Sequence, residues 1–425
     1  MTKKSKLITF SSIAGLLLII LFCFLFSQFH FNDKKNVCVK SDEPFRTALS
    51  ISPFTNQAFR DGFTYQYKDR TITSTKELQE LYIEKGSTEM FIRISTRRYL
   101  PEIKKEEAYT PLEETLSICK LAADLNVPIN PEVMCAFDYM DMDRQEAPCF
   151  EEYPEIYALQ NGKAYEELNL EEMCVVLKAY GHYLAKGILE TGCTVNNWNL
   201  GNEANYGFAG VNLGLKTAVN PKLESKDGFI RYMLPVFNCR WLENNLWKYN
   251  AKQFAAVRQG ILDAYDELGL DKSNVKFSTH IATVVMTPKA CARYFNCLKV
   301  NGYDIDTAGI SYYPSAPSMY LNSMIMFKKT VTEINKKCGL NVFIAEFAYP
   351  SGEMSGPYAG WNKEVKGYPH SEEGQKAIYN DVVGWGKTHG VSGIRYWAAD
   401  YKFWGTMPMF NFDEKKASPK SILVE

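Results

Sequence analysis

Eight short runs with strand character alternate with helix-like stretches along roughly 380 residues of this 425-residue chain, and that alternation limits the possible folds more than any other feature. The runs are Thr47–Pro53, Glu89–Ser95, Asn130–Phe137, Val195–Gly201, Val275–Ile281, Ile305–Tyr312, Asn341–Ala348 and Val391–Trp397. Between them apolar residues recur at helical spacing, as in Leu112, Leu116, Cys119 and Ala123. That helix carries a start signal: Thr110 reads as its N-cap, Pro111 as its first residue and Glu113 as the acid at the third position. Further helices are predicted from about Leu170 to Glu190 and from Ala251 to Leu268. The pattern predicts a (β/α)8 barrel with enlarged loops. A doubly wound parallel sheet is the alternative, but it would carry a glycine-rich turn after its first strand, and none is present.

The barrel is expected to occupy residues 45–425, behind a segment of different character. Lys3, Lys4 and Lys6 precede an uncharged run, Leu7–Phe29, whose 23 residues rise far enough at 1.5 Å each to cross a hydrocarbon core of about 30 Å. The lysines place the N-terminus in the cytoplasm and the rest outside. The run is long for a cleaved signal and lacks a small-x-small cleavage site, so a signal-anchor over residues 1–29 is favoured over a secreted form. Residues 30–44 read as a short stalk. Export makes the oxidation state of the 11 cysteines relevant. Outside the apolar run there are ten, an even number that permits disulfides, with buried free thiols as the alternative. No C-x-x-C pair suggests a zinc site. With 48 basic and 49 acidic residues the chain has no general attraction for nucleic acid. A monomer is expected, in contact with a membrane only through its N-terminal segment.

Active sites of (β/α)8 barrels lie at the C-terminal ends of the strands. The fourth run ends Trp198-Asn199-Leu200-Gly201-Asn202-Glu203, and the seventh ends Phe343-Ile344-Ala345-Glu346-Phe347-Ala348-Tyr349-Pro350. Each places one glutamate at the mouth. Two carboxyl groups across a sugar-sized cleft suit glycosidic hydrolysis, one protonated to serve the leaving oxygen and one ionised to attack the anomeric carbon. Asn202 is positioned to hydrogen-bond a sugar 2-hydroxyl. The aromatic content of 14% suits stacking on sugar faces as well as a large core.

The Gly201-Asn202-Glu203 segment resembles the acid/base motif of the clan A retaining glycosidases, and a set of ordered tags resembles glycoside hydrolase family 53, the arabinogalactan endo-β-1,4-galactanases. That family's sixth strand ends like GLSYYP, and here the residues are Gly309-Ile310-Ser311-Tyr312-Tyr313-Pro314. Its nucleophile strand reads like VVETAYP, matching Phe343–Pro350, and its late helix opens YP..PEGQ, matching Tyr368–Gln375. Its last strand carries G..YW, matching Gly393–Trp397, and its tail LFDFDG is similar to Met409–Asp413. The order holds from about residue 180 to the C-terminus.

The resemblance implies Glu203 as general acid/base, Glu346 as nucleophile and Asn202 as 2-hydroxyl partner. Trp397 would be the floor under the sugar, and Tyr313, or its neighbour Tyr312, would hydrogen-bond near Glu346. Arg93 would orient the nucleophile from the second strand, and His280 would face the mouth after the fifth. The N-terminal half departs from the pattern. Where the galactanases have HYSD.WADP, this chain has Phe137–Arg144, in which Asp138, Tyr139 and Asp141 are candidates to line the cleft. The eighth strand continues Ala398-Ala399-Asp400 in place of the family's EP. These changes leave the catalytic pair intact and open the sugar specificity. The expected function is an exported endo-acting retaining β-glycosidase that needs no metal or organic cofactor. Its first expected substrate is β-1,4-galactan, with mannan or β-glucan as alternatives. A non-hydrolytic surface glycan-binding protein is the reading from another class.

Overall fold

A computed structural model describes residues 43–98, 110–318 and 322–424. Eight parallel strands form one sheet: β1 (Arg46–Ala48), β2 (Met90–Ile94), β3 (Ile129–Val133), β4 (Trp198–Leu200), β5 (Phe277–Ala282), β6 (Thr307–Tyr312), β7 (Asn341–Phe347) and β8 (Val391–Tyr396). Each overlaps one of the eight predicted runs, and Arg46, Ile129 and Ala282 extend three of them by one residue. The order is β1-β8-β7-β6-β5-β4-β3-β2, a barrel whose regular ladder stops between β1 and β2. Side chains cross that gap. Thr47 N–H donates to Thr88 Oγ1 at 2.8 Å, and Phe91 N–H donates to Ser50 Oγ at 3.0 Å.

Seven helices follow the strands: α1 (Thr75–Glu84), α2 (Leu112–Asp124), α3 (Leu170–Glu190), α4 (Lys248–Glu267), α5 (Pro288–Val300), α6 (Met324–Cys338) and α7 (Glu372–Gly386). Most begin at a residue that caps them. Ser74 with Glu77 and Asn169 with Glu172 form capping boxes on α1 and α3, and Thr287, Ser323 and Ser371 cap α5, α6 and α7. The start of α2 differs from expectation. Pro111 is extended and occupies the N-cap position, and no side chain caps the helix. Thr110 is held one residue earlier because its carbonyl accepts the Ser95 N–H at 3.0 Å.

Helices α3 and α4 pack backbone to backbone at two glycines. A Cβ on Gly260 would lie 2.0 Å from the Lys178 carbonyl oxygen, and one on Gly181 would lie 2.5 Å from that of Val257. Gly260→Ala is therefore expected to force the helices apart and cost roughly 1–3 kcal/mol, measured by urea unfolding. Gly384→Ala on α7, where nothing lies within 4 Å of an added Cβ, should be neutral or slightly stabilising.

A second, four-stranded sheet joins distant parts of the chain. Strands Thr64–Tyr67 and Arg70–Ile72 pair with Phe410–Asp413 and Lys416–Pro419. Tyr65 packs its ring edge-on to Phe410 and donates its hydroxyl to the Asp400 carbonyl at 2.8 Å. The Asp400 carboxylate accepts from Thr55 Oγ1 at 2.6 Å and from Ser52 N–H at 3.2 Å, fastening the loop after β8 to the loop after β1.

The nine described cysteines are all free thiols, seven of them buried, so no disulfide joins them. Among the described residues no helix is long and apolar enough to cross a membrane. The Leu7–Phe29 run, the stalk as far as residue 42, Cys23 and Cys38 lie outside the described residues.

Candidate active site

The fourth and seventh strands deliver their glutamates to one place. Glu346 is the sixth residue of β7 and is buried at the top of the barrel. Glu203 follows β4 in the left-handed region, at φ 45° and ψ 50°. A side chain there costs of order 1–3 kcal/mol, and the turn aims this one at the barrel mouth. The Glu203 side chain is partly open, and its Oε2 accepts the Met142 N–H at 3.1 Å.

The two carboxyl groups have opposite surroundings. Arg93, from β2, donates Nη2–H to Glu346 Oε1 at 3.0 Å, and Tyr313 donates its hydroxyl to Oε2 at 2.6 Å. Arg395, from β8, places Nη2 3.5 Å from the same Oε1. Burial raises the pKa of Glu346, and the two guanidinium groups pull it back. Glu203 is pushed well above the usual carboxylate range by burial, and then by the negative charges of Glu346 and Asp141. The surroundings thus favour a proton on Glu203 over one on Glu346.

Tyr313, rather than Tyr312, is the tyrosine on Glu346. Tyr312 points to the outside of the barrel and stacks on Phe327, with ring centroids 4.4 Å apart. The Trp397 ring lies 4.3 Å from the Arg93 guanidinium carbon, next to the nucleophile side of the site. Trp361 and Trp404 flank Tyr313 at centroid distances of 5.3 and 6.1 Å and form an aromatic rim there. Trp247, by contrast, is buried and donates Nε1–H to the Asn205 carbonyl at 2.9 Å, a packing role.

Two sequence-based expectations need correction. His280 lies against Asn202 and the Glu203 backbone but is closed off from the open cleft. It is fully buried, and burial lowers its pKa to about 3, so the ring is neutral. Asn199 Nδ2 lies 3.0 Å from its Nδ1, and its Nε2 lies 2.8 Å from Asn202 Oδ1 and accepts the Glu203 backbone N–H at 3.2 Å. His280 thus supports Asn202 from below. Asn202 in turn donates to the Met140 carbonyl. Asp138 is also engaged elsewhere, because its carboxylate is gripped by both Nε and Nη2 of Arg97. Its neighbours Tyr139 and Asp141 are the ones near the glutamates. Burial raises the pKa of each, and Asp141 accepts the N–H groups of Asp143 and Arg144 at 2.7 and 2.6 Å.

The insertion after Glu203 supports this loop. It contains a rim helix, Phe229–Phe237, whose Arg231 donates to the Asp143 carbonyl at 2.8 Å and whose Tyr232 hydroxyl reaches the Asp143 side chain. The insertion therefore braces the segment whose Met142 N–H holds Glu203.

Glu132 and Arg395 escaped the sequence reading. Each is a charge inside a strand that is otherwise apolar or neutral, a signal that could have found them, whereas Arg93 is marked by the family resemblance alone. Glu132, His280 and Glu346 bring three ligand-type atoms within 4.8 Å of one another. Arg93 and Arg395 already neutralise the two carboxylates, so a divalent cation would enter against two positive charges.

A (β/α)8 barrel with paired glutamates at the ends of its fourth and seventh strands has the architecture of a glycoside hydrolase. The model of the family described as Glycosyl hydrolase family 53 matches residues 158–416, more than half of the chain. The chain belongs to that family and is a glycoside hydrolase. It is similar in fold to one of two fungal beta-1,4-galactanases, with 15% identity and a TM-score of 0.64 over 90% of this chain and 98% of the other. It is equally similar to the Ignisphaera aggregans GH53 catalytic domain, with 16% identity and a TM-score of 0.64 over 91% and 97% of the two chains. No curated protein sequence matches it.

Proposed function

We propose that this protein is an endo-acting retaining β-glycosidase whose substrate is a β-1,4-linked galactan or arabinogalactan. The observation that carries the reading is the unequal surroundings of its two glutamates, with cations and a tyrosine hydroxyl on Glu346 and carboxylates beside Glu203. In the first step a Glu346 carboxylate oxygen attacks the anomeric carbon, the bond to the glycosidic oxygen breaks, and Glu203 gives that oxygen its proton. In the second step Glu203 takes a proton from water, the water oxygen bonds to the anomeric carbon, and the ester to Glu346 breaks. Asn202, held by His280, is the partner for the sugar 2-hydroxyl, and Trp397, Trp361 and Trp404 supply flat faces for the sugars. Galactan is favoured by family membership and by the galactanase named among the similar structures.

The test is hydrolysis of β-1,4-galactan, arabinogalactan, mannan and β-glucan. Oligosaccharides released from galactan are expected. Release from mannan or β-glucan alone would reassign the sugar, a reading favoured by Phe137–Arg144 standing where the galactanases carry their histidine and tryptophan motif. Tight binding to one polymer without turnover would replace the enzyme by a glycan-binding protein. We further propose that residues 1–29 anchor the catalytic domain outside the cell membrane, so the full chain should sediment with membranes and residues 45–425 should not.

A further inference from the structure

The structure assigns Glu132 a positioning role. It is a buried counter-charge that takes the larger share of Arg93 and Arg395 and so limits how strongly they hold Glu346. This inference rests on the reading of Glu346 as nucleophile. Four charged side chains meet inside the barrel, two guanidinium groups and two carboxylates, and all four are buried. Their contacts are unequal. Arg93 Nε donates to Glu132 Oε1 at 2.7 Å, while its Nη2 is 3.0 Å from Glu346. Arg395 Nη2 is 3.2 Å from Glu132 Oε2 and 3.5 Å from Glu346. Both cations sit closer to Glu132. Arg93 Nη1 and Arg395 Nε are buried with no hydrogen-bond partner, so no other acceptor takes up these two donors.

The arrangement has a chemical consequence. Glu346 facing two guanidinium groups alone would be an over-stabilised anion and a poor nucleophile, because binding the ground state tightly adds to the barrier. With neither cation it would remain protonated in its buried site. Glu132 sets the balance between these extremes.

Glu132 also extends the network toward the acid/base side. Its Oε2 accepts from Asn199 Nδ2 at 3.3 Å, and Asn199 meets His280, which holds Asn202 beside Glu203. The charged and titratable groups around Glu346 are Arg93 on β2, Glu132 on β3, Tyr139 after β3, Glu203 after β4, Tyr313 after β6 and Arg395 on β8. His280 on β5 faces Glu132, and Asp141 faces Glu203.

The experiment is to titrate Glu346 directly, by carbon-13 NMR of protein labelled at the glutamate side-chain carboxyl, with the signal assigned by its loss in Glu346→Gln. Glu132→Gln should lower the midpoint by about one pH unit or more, and Arg395→Gln should raise it. The double variant should return it close to the wild-type value. The acid limb of kcat/KM should move in the same three ways. A variant that only loosens the fold would not move the midpoint in opposite directions. If Glu132→Gln does not fold, Glu132→Asp keeps the charge but lengthens the contact with Arg93, and should give a smaller downward shift. A midpoint that stays fixed, or moves the same way in both single variants, overturns the inference. Hydrolysis retained by Glu346→Gln would overturn the nucleophile assignment instead, and would leave the titration result standing.

Discussion

Glu346→Gln is expected to lower turnover by roughly four orders of magnitude or more while leaving the protein folded. Gln keeps the shape of the side chain and can still accept from Arg93, but its amide oxygen cannot form the glycosyl ester. Neither of the other two carboxylates beside the described pair is placed to take over the attack. Glu132 lies beneath Arg93 and is fully buried, and Asp141 is occupied by two backbone N–H groups. The measurement is initial rate on the responsive polysaccharide, with thermal unfolding as the control for folding. A variant that loses less than about tenfold with an unchanged melting temperature would show that Glu346 does not form the covalent bond.

Glu203→Gln is expected to cost about 10²–10⁴-fold on the polysaccharide, the usual contribution of a general acid/base. The loss should depend on the leaving group. An aryl glycoside with an acidic phenol needs no proton to depart, so its first step should survive and glycosyl-enzyme should accumulate. Added azide should then restore turnover, because an anion needs no general base. The pH profile supplies a second readout. Glu346 must be ionised, so activity rises as pH passes its pKa; Glu203 must be protonated, so activity falls as pH passes its own. Burial and the charges of Glu346 and Asp141 put the Glu203 value well above the usual range, so the wild-type alkaline limb should lie above that of an ordinary carboxyl group. In Glu203→Gln acting on the aryl substrate that limb should vanish and the acid limb remain. Unaltered limbs would remove Glu203 from the acid/base role.

The barrel and the placing of its two mouth glutamates were legible in the sequence. Each of the eight strands overlaps a predicted run to within one residue, and five of the helices start at a Ser, Thr or Asn whose side chain accepts the N–H three positions on. Such signals are local, because a strand end or a first helical turn is fixed by its immediate neighbours. Glu203 and Glu346 were legible for the same reason, since a (β/α)8 fold turns the residue after a strand into the site.

Which side chains meet depends on contacts between strands. Arg93, Glu132 and Arg395 come from three strands, and their meeting depends on the barrel register and on which residues of each strand point inward. The family resemblance places His280 at the mouth after the fifth strand. Its depth is set by the neighbouring strands, which place it under Asn202. Asp138 and Asp141 stand three positions apart in sequence, yet Arg97 takes the first and leaves the second near Glu203. The sheet joining Thr64–Tyr67 to Lys416–Pro419 spans nearly the whole chain. Periodicity describes what one segment presents. The cross-barrel contacts that set the charges of the two glutamates come from segments far apart in sequence, and closure of the barrel brings them within hydrogen-bonding distance.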